Sequence, residues 1–197
     1  MSIRFEKVKT SELSPDKELL FQETQKFTQL WIWLIIIAVF AIQFVWIGFA
    51  IYKQIYLNQP WGHKPMSDLG LILTVVWISF LMFFIIGMFL TTRLETRVYI
   101  DGLYFIYFPF HMKYRKVSWE KLDEILGRKY KPLIEFGGWG IRWNYKKWAY
   151  TVSGNECIEF RKGDYKILIG TKKLNEFLSA LDKAQNLYVA ESYINPK

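Results

Sequence analysis

The chain has 197 residues, 52% of them hydrophobic and 19% aromatic, with 26 Lys and Arg against 18 Asp and Glu for a formal net charge of +8. A charged share of 22% with nine Trp and six Pro excludes a disordered or collagen-like chain, and one Cys excludes an internal disulfide framework or a Cys-based metal site. The mean hydropathy of +0.07 conceals an uneven distribution, because the apolar residues concentrate between Leu30 and Leu90.

Ser14-Pro15-Asp16-Lys17-Glu18 supplies a cap residue, proline at a first helical position and acids in a first turn. The pattern predicts a helix that starts there, runs through Gln22, Glu23, Gln25 and Lys26 as a solvated extension, and enters the apolar run. Leu30 to Tyr52 carries no charge, and Gln43 is its strongly polar residue. As a helix it is about 34 Å long, enough to cross a hydrocarbon core. Leu69 to Leu90 is equally free of charge. The 53–68 connection, with Pro60, Gly62 and Pro65, reads as a short loop of an antiparallel hairpin. Trp31, Trp33 and Trp61 stand at or near the span ends, where an indole keeps its ring in lipid and its N–H wet. Arg4, Lys7, Lys9, Lys17 and Lys26 before the spans, and Arg93 and Arg97 after them, predict both termini on the cytoplasmic side. The late, long apolar run and the acids before it argue against a cleaved leader.

After Leu90 the pattern becomes short aromatic and β-branched runs between turns. Arg97–Ile100, the turn Asp101-Gly102 and Leu103–Phe108 form a hairpin, and Met112–Ser118 a third strand. Ser118 is read as the cap of a helix over Trp119–Leu126. Lys129–Phe136, Ile141–Val152, Cys157–Arg161 and Tyr165–Ile169 are further strands, with Lys162-Gly163-Asp164 as a turn between the last two. Leu174, Phe177, Leu178 and Leu181 place one apolar face on a closing helix. The expected organisation is a pre-membrane segment over 1–29, a transmembrane hairpin over 30–90, a β domain over 91–185 and a tail over 186–197. The fold class is α+β: a two-helix membrane hairpin with a small antiparallel sheet or barrel capped by a C-terminal helix.

This arrangement resembles the bacterial pleckstrin-homology-like domain proteins. Gly137-Gly138-Trp139-Gly140-Ile141-Arg142, Ser153-Gly154-Asn155 and Ile169-Gly170-Thr171 bring the likeness nearer to one uncharacterised group of small two-helix membrane proteins. Where similar sequences carry Gly shortly after the Asn and Pro after the Thr, this chain has Cys157 and Leu174. The resemblance implies a pleckstrin-like fold facing the cytoplasm at a bacterial inner membrane, and no established activity.

Gly137, Gly138, Trp139, Gly140 and Arg142 are the candidate binding residues. The glycines permit positive φ and close approach, and Arg142 suits a carboxylate or phosphate; a sheet-corner bend with Trp139 packed inside explains the same residues. Basic clusters recur at Lys113-Arg115-Lys116, Arg128-Lys129-Lys131, Lys146-Lys147, Arg161-Lys162 and Lys172-Lys173. They read as outward strand positions or as cations that dock a tethered domain on anionic headgroups, with Lys113, Arg115 and Lys116 as the membrane-surface candidates. No catalytic constellation, metal site or cofactor motif is visible. His63 and His111 fall on opposite sides of the expected membrane, and Cys157 reads as a small structural residue. The dispersed charge points away from nucleic acid. The sequence therefore predicts a membrane-anchored, non-enzymatic binding or scaffold module, whose partners are membrane lipids or a membrane-protein complex or homo-oligomer. An accessory subunit of a larger membrane complex, and an enzyme with a pocket around the Gly-Gly-Trp-Gly segment, are the alternatives.

Overall fold

A computed structural model describes residues 5–13, 18–62, 65–145 and 147–194. The helix start expected at Ser14-Pro15-Asp16-Lys17 lies outside the described residues, as do Arg4, His63, Lys64, Lys146 and the end of the expected tail. The chain forms two compact units, one from the segments up to Phe27 and from Thr91 onward, the other from Thr28–Leu90.

The second unit is helical. Helix α1 (Leu30–Ile51) continues through a π-helical turn, Tyr52–Tyr56, and a loop returns the chain into α2 (Asp68–Thr91). Leu30–Tyr56 and Asp68–Thr91, 27 and 24 residues, are both long and apolar enough to cross a membrane, and few of their side chains are buried. Apolar residues surround each helix on every side, so neither has the polar face of a helix lying on a soluble core. The loop end is fastened by Gln54, a buried polar residue whose Nε2 donates to the Met66 carbonyl at 2.7 Å and to Asp68 Oδ1 at 2.9 Å. Trp46 meets Trp61 edge to face at 5.0 Å at that end, and Trp33 meets Phe89 at the other.

The first unit is two open five-stranded sheets and a helix. Strands β1 (Glu6–Val8), β2 (Leu19–Lys26), β3 (Arg93–Tyr99), β4 (Gly102–Phe108) and β5 (Tyr114–Val117) make an antiparallel sheet in the order β1-β5-β4-β3-β2. Strands β6 (Asp123–Lys129), β7 (Gly140–Asn144), β8 (Lys147–Thr151), β9 (Glu156–Lys162) and β10 (Tyr165–Thr171) make the other, in the order β6-β9-β10-β8-β7, with β8 and β10 parallel. The sheets do not close into one barrel. Leu94, Val98, Leu103 and Phe105 of the first sheet meet Ile158, Phe160, Ile167 and Ile169 of the second in one buried core. Helix α4 (Leu174–Ile194) seals it with Phe177, Leu181 and Ala184.

Several expected elements differ. The segment before α1 is not a solvated helix but strand β2, paired with β3 from Leu19↔Tyr99 to Lys26↔Arg93. Its alternation runs Phe21, Glu23 and Gln25 inward, and the two polar side chains are 7% and 2% exposed. Residues at the end of β10 and just after it supply partners for the Glu23 carboxylate and for the amide nitrogen of Gln25, whose Oε1 stays buried without one. Thr171 Oγ1 donates to Glu23 Oε2 at 2.6 Å, the Lys172 amide donates to Glu23 Oε1 at 2.9 Å, and Gln25 Nε2 donates to the Gly170 carbonyl at 2.7 Å. The expected helix over Trp119–Leu126 is one 3₁₀ turn, Trp119–Lys121, followed by β6; Trp119 is held inside by its Nε1–H donating to the Ile100 carbonyl. The strand expected over Lys129–Phe136 stops at Lys129, because Pro132 begins the short helix α3 (Pro132–Phe136). Ile141–Val152 is not one strand but the hairpin of β7 and β8, turned at Tyr145 with φ +56°. Finally, α4 continues past the expected 185 limit, since Ala184 and Tyr188 prolong the stripe of Phe177 and Leu181, and Tyr188 donates its hydroxyl to Glu120.

Candidate functional site

The Gly-Gly-Trp-Gly segment is a bend held by backbone geometry. Gly137, at φ +69°, ends α3 in the left-handed region, and its amide donates to the Leu133 carbonyl at 3.0 Å. Gly138 and Gly140 have φ of +123° and +126°, so side chains at these positions are strained whatever space surrounds them. Trp139 is half-buried and donates its Nε1–H to the Gly154 carbonyl at 2.9 Å, tying the bend to the Ser153-Gly154-Asn155 turn. Two of the three strings behind the resemblance thus meet in space. Arg142 is exposed, with Nε donating to the Trp139 carbonyl at 3.2 Å, and it pairs with no carboxylate among the described residues.

The basic trio of Lys113, Arg115 and Lys116, at and just before β5, is divided. Lys116 pairs with Asp101 at 2.8 Å. Arg115 donates to the Tyr150 hydroxyl at 2.7 Å and lies over the rings of Phe5 and Tyr150. Only Lys113 of the three extends into solvent.

A concavity lies beside the glycine bend. It has a volume of about 870 Å³ and runs between α3, the β7–β8 turn and the β9–β10 turn, with Ile134, Glu135, Tyr145, Lys147, Arg161 and Lys166 among its lining. Register explains its charge. Lys166 lies opposite Lys147 in the parallel β8–β10 pair and opposite Arg161 in the β9–β10 hairpin, so three cations stand side by side across three strands. Like charges directly opposite one another disfavour a sheet. The partial offsets are Glu159, 3.3 Å from Lys166, and Glu124, 3.4 Å from Arg161. Lys147 has no ion pair among the described residues.

Behind this row Arg128 joins two carboxylates, Glu159 at 2.8 Å and Glu135 at 3.0 Å, the first through Nε as well. The Arg128 hydrogen bonds hold the Glu135 carboxyl below its ordinary range, helped by the Lys131 amide. Burial opposes ionisation of Glu159, but Arg128 and Lys166 outweigh it and hold that carboxyl low as well. Glu135 is therefore an ionised, engaged anion rather than a poised acid or base. Burial pushes the Cys157 thiol up to about 12, and its Sγ–H donates to the Arg128 carbonyl. His111 is pushed down to about 4, chiefly by burial and then by Arg115 and Lys7; it packs on Tyr150 and does not line the groove.

Arg128→Ala is expected to lower the thermal midpoint at neutral pH and to flatten the acid limb. Both carboxyls titrate below their ordinary 4.5 in the folded chain, so the stability they lend is present above that value and lost as pH falls through the folded values. Thermal unfolding of the two proteins between neutral pH and about 3 reads this difference; parallel acid limbs would refute the assignment.

The groove's row was half legible. Arg161 and Lys166 stand symmetrically about Gly163-Asp164 of the Lys162-Gly163-Asp164 turn, whereas the parallel β8–β10 pairing that brings in Lys147 leaves no local mark. No family model, curated protein or solved structure significantly matches the chain.

Proposed function

We propose that this chain is a membrane-anchored, non-enzymatic binding or scaffold module of pleckstrin-homology-like type, with its β unit on the cytoplasmic side of a bacterial inner membrane. The carrying observation is where the helical hairpin is inserted. Strands β2 and β3, which flank it in sequence, pair with each other up to Lys26↔Arg93, so the segments before and after the hairpin belong to one folded unit. Two spanning helices return the chain to the side on which it began, and a single β unit built from both flanks requires that return. Lys26 and Arg93 at this junction accord with a cytoplasmic placement. The engaged state of Glu135 and Glu159, the inert thiol of Cys157 and the distance of His111 from the groove favour a binding surface over a reaction centre.

The test is accessibility labelling in intact cells. Cys157 is buried, which keeps the native background low. Ser153, an obvious position by sequence, is buried too, so Lys113→Cys on the β unit and Gln59→Cys in the hairpin loop are the useful probes. An impermeant maleimide is expected to label Gln59→Cys and to reach Lys113→Cys only after the membrane is opened. Labelling of Lys113→Cys in intact cells would overturn the topology.

A further inference from the structure

We propose that the tip formed by α3 and the β7–β8 turn is a docking face for an anionic bilayer surface; this rests on the anchored-module reading and names its lipid-binding site. Four large apolar or aromatic side chains gather there without a packing role. Leu133 and Ile134 of α3 are 63% and 79% exposed, while Phe136 of the same helix turns inward against Tyr130. At the hairpin tip Trp143 is 64% and Tyr145 86% exposed. Tyr145 also occupies a left-handed position that favours Asn or Gly, so the fold carries backbone strain there with no burial in return.

Ile134 and Tyr145 line the same groove as Lys147, Lys166 and Arg161, so the apolar tip and the cation row form one amphipathic surface. Each half fits one layer of a membrane interface. Tyr and Trp settle at headgroup level with their rings toward the acyl chains, and the cations meet lipid phosphates. Anionic lipid relieves the cross-strand repulsion of the row; of the two carboxylates that line the groove, Glu135 is already engaged by Arg128, and Asp164 in the β9–β10 turn is outnumbered by Lys147, Arg161 and Lys166. This face differs from the Lys113, Arg115 and Lys116 trio, where Arg115 and Lys116 are committed to internal partners.

The experiment is hydrogen exchange on the full chain in lipid nanodiscs, one set of phosphatidylcholine and one containing phosphatidylglycerol, followed over residues 132–147. Exchange there is expected to slow roughly tenfold in the anionic discs at low salt, with the difference shrinking as salt rises. Lys147→Glu is expected to remove most of that difference. Tyr145→Gly separates docking from folding, because Gly takes a positive φ without strain. It should weaken the lipid-dependent protection while leaving the melting temperature equal or higher. Equal exchange in both lipids overturns the proposal. Protection that depends on two copies per disc, or that appears only in native membranes, also overturns it and assigns the face to a second copy or to a protein partner. Alkaline carbonate extraction tests the anchor separately. A chain that stays with the membrane but shows no lipid-charge dependence loses the docking face alone, whereas a chain that is extracted loses the anchored module.

Discussion

Phe177→Ala is expected to destabilise the β unit by about 4 kcal/mol, the range for truncating a fully enclosed aromatic side chain. Phe177 has no exposed surface and stacks on Phe21 with ring centroids 4.7 Å apart and planes within 5°. One side chain thereby joins α4 to β2. The lost contacts include the aromatic pair as well as the transfer of the ring from water, and the surrounding Leu94, Leu181 and Ile169 belong to rigid strands and a helix that collapse only partly into the space. Thermal unfolding of the full chain in detergent, followed by near-ultraviolet circular dichroism, should show a fall of about 10 °C or more. Phe177→Leu, which refills most of the volume, should lose less than half as much. An unchanged midpoint in Phe177→Ala would mean that α4 does not seal this core.

The helical hairpin, the Asp101-Gly102 turn and the stripe of α4 were legible because each is written in local sequence: uninterrupted apolar length, a two-residue turn signal, a repeat of three and four. Elements whose character depends on distant partners were not. The Gln22–Lys26 stretch reads as a solvated helix by composition, and as a strand only once the Thr171 hydroxyl, almost 150 positions away, donates to Glu23 and the Gly170 carbonyl accepts from Gln25. Trp119–Leu126 misleads differently. Leu122 and Ile125 carry helical spacing, but the hydrogen bond from Trp119 to Ile100 and pairing with β9 override it. Gly127 lets α4 lie close over this strand, since a Cβ there would stand 2.7 Å from Leu178.

The candidate site shows the same division. The positive-φ glycines of the 137–140 bend were readable as a bend, because their chemistry is local. Arg142, placed beside them by sequence, lies on β7 away from the groove lining, and the cations that do line the groove come from three strands whose order in the sheet does not follow the chain. Arg115 looked like a surface cation and is instead stacked between Phe5 and Tyr150. An Arg side chain supplies packing as well as charge, and counting charge alone overlooks that role.

Glu23→Ala is expected to cost about 2–3 kcal/mol, more than an ordinary polar truncation, because two donors lose their acceptor at once. The Thr171 hydroxyl and the Lys172 amide both donate to this carboxylate, one to each oxygen. Thr171 Oγ1 in turn accepts from the Lys173 amide at 3.0 Å, so the carboxylate orients the group that starts α4. Glu23→Gln keeps one acceptor oxygen and turns an amide NH2, itself a donor, toward the second donor, and should lose about 1 kcal/mol. A double-mutant cycle with Thr171→Val isolates the shared hydrogen bond. If the pair acts as described, the two losses fall short of additivity by about 1–2 kcal/mol. Strict additivity would mean that β2 is held to the α4 start by apolar packing through Phe21 and Phe177, with the buried carboxylate contributing only through its backbone contact.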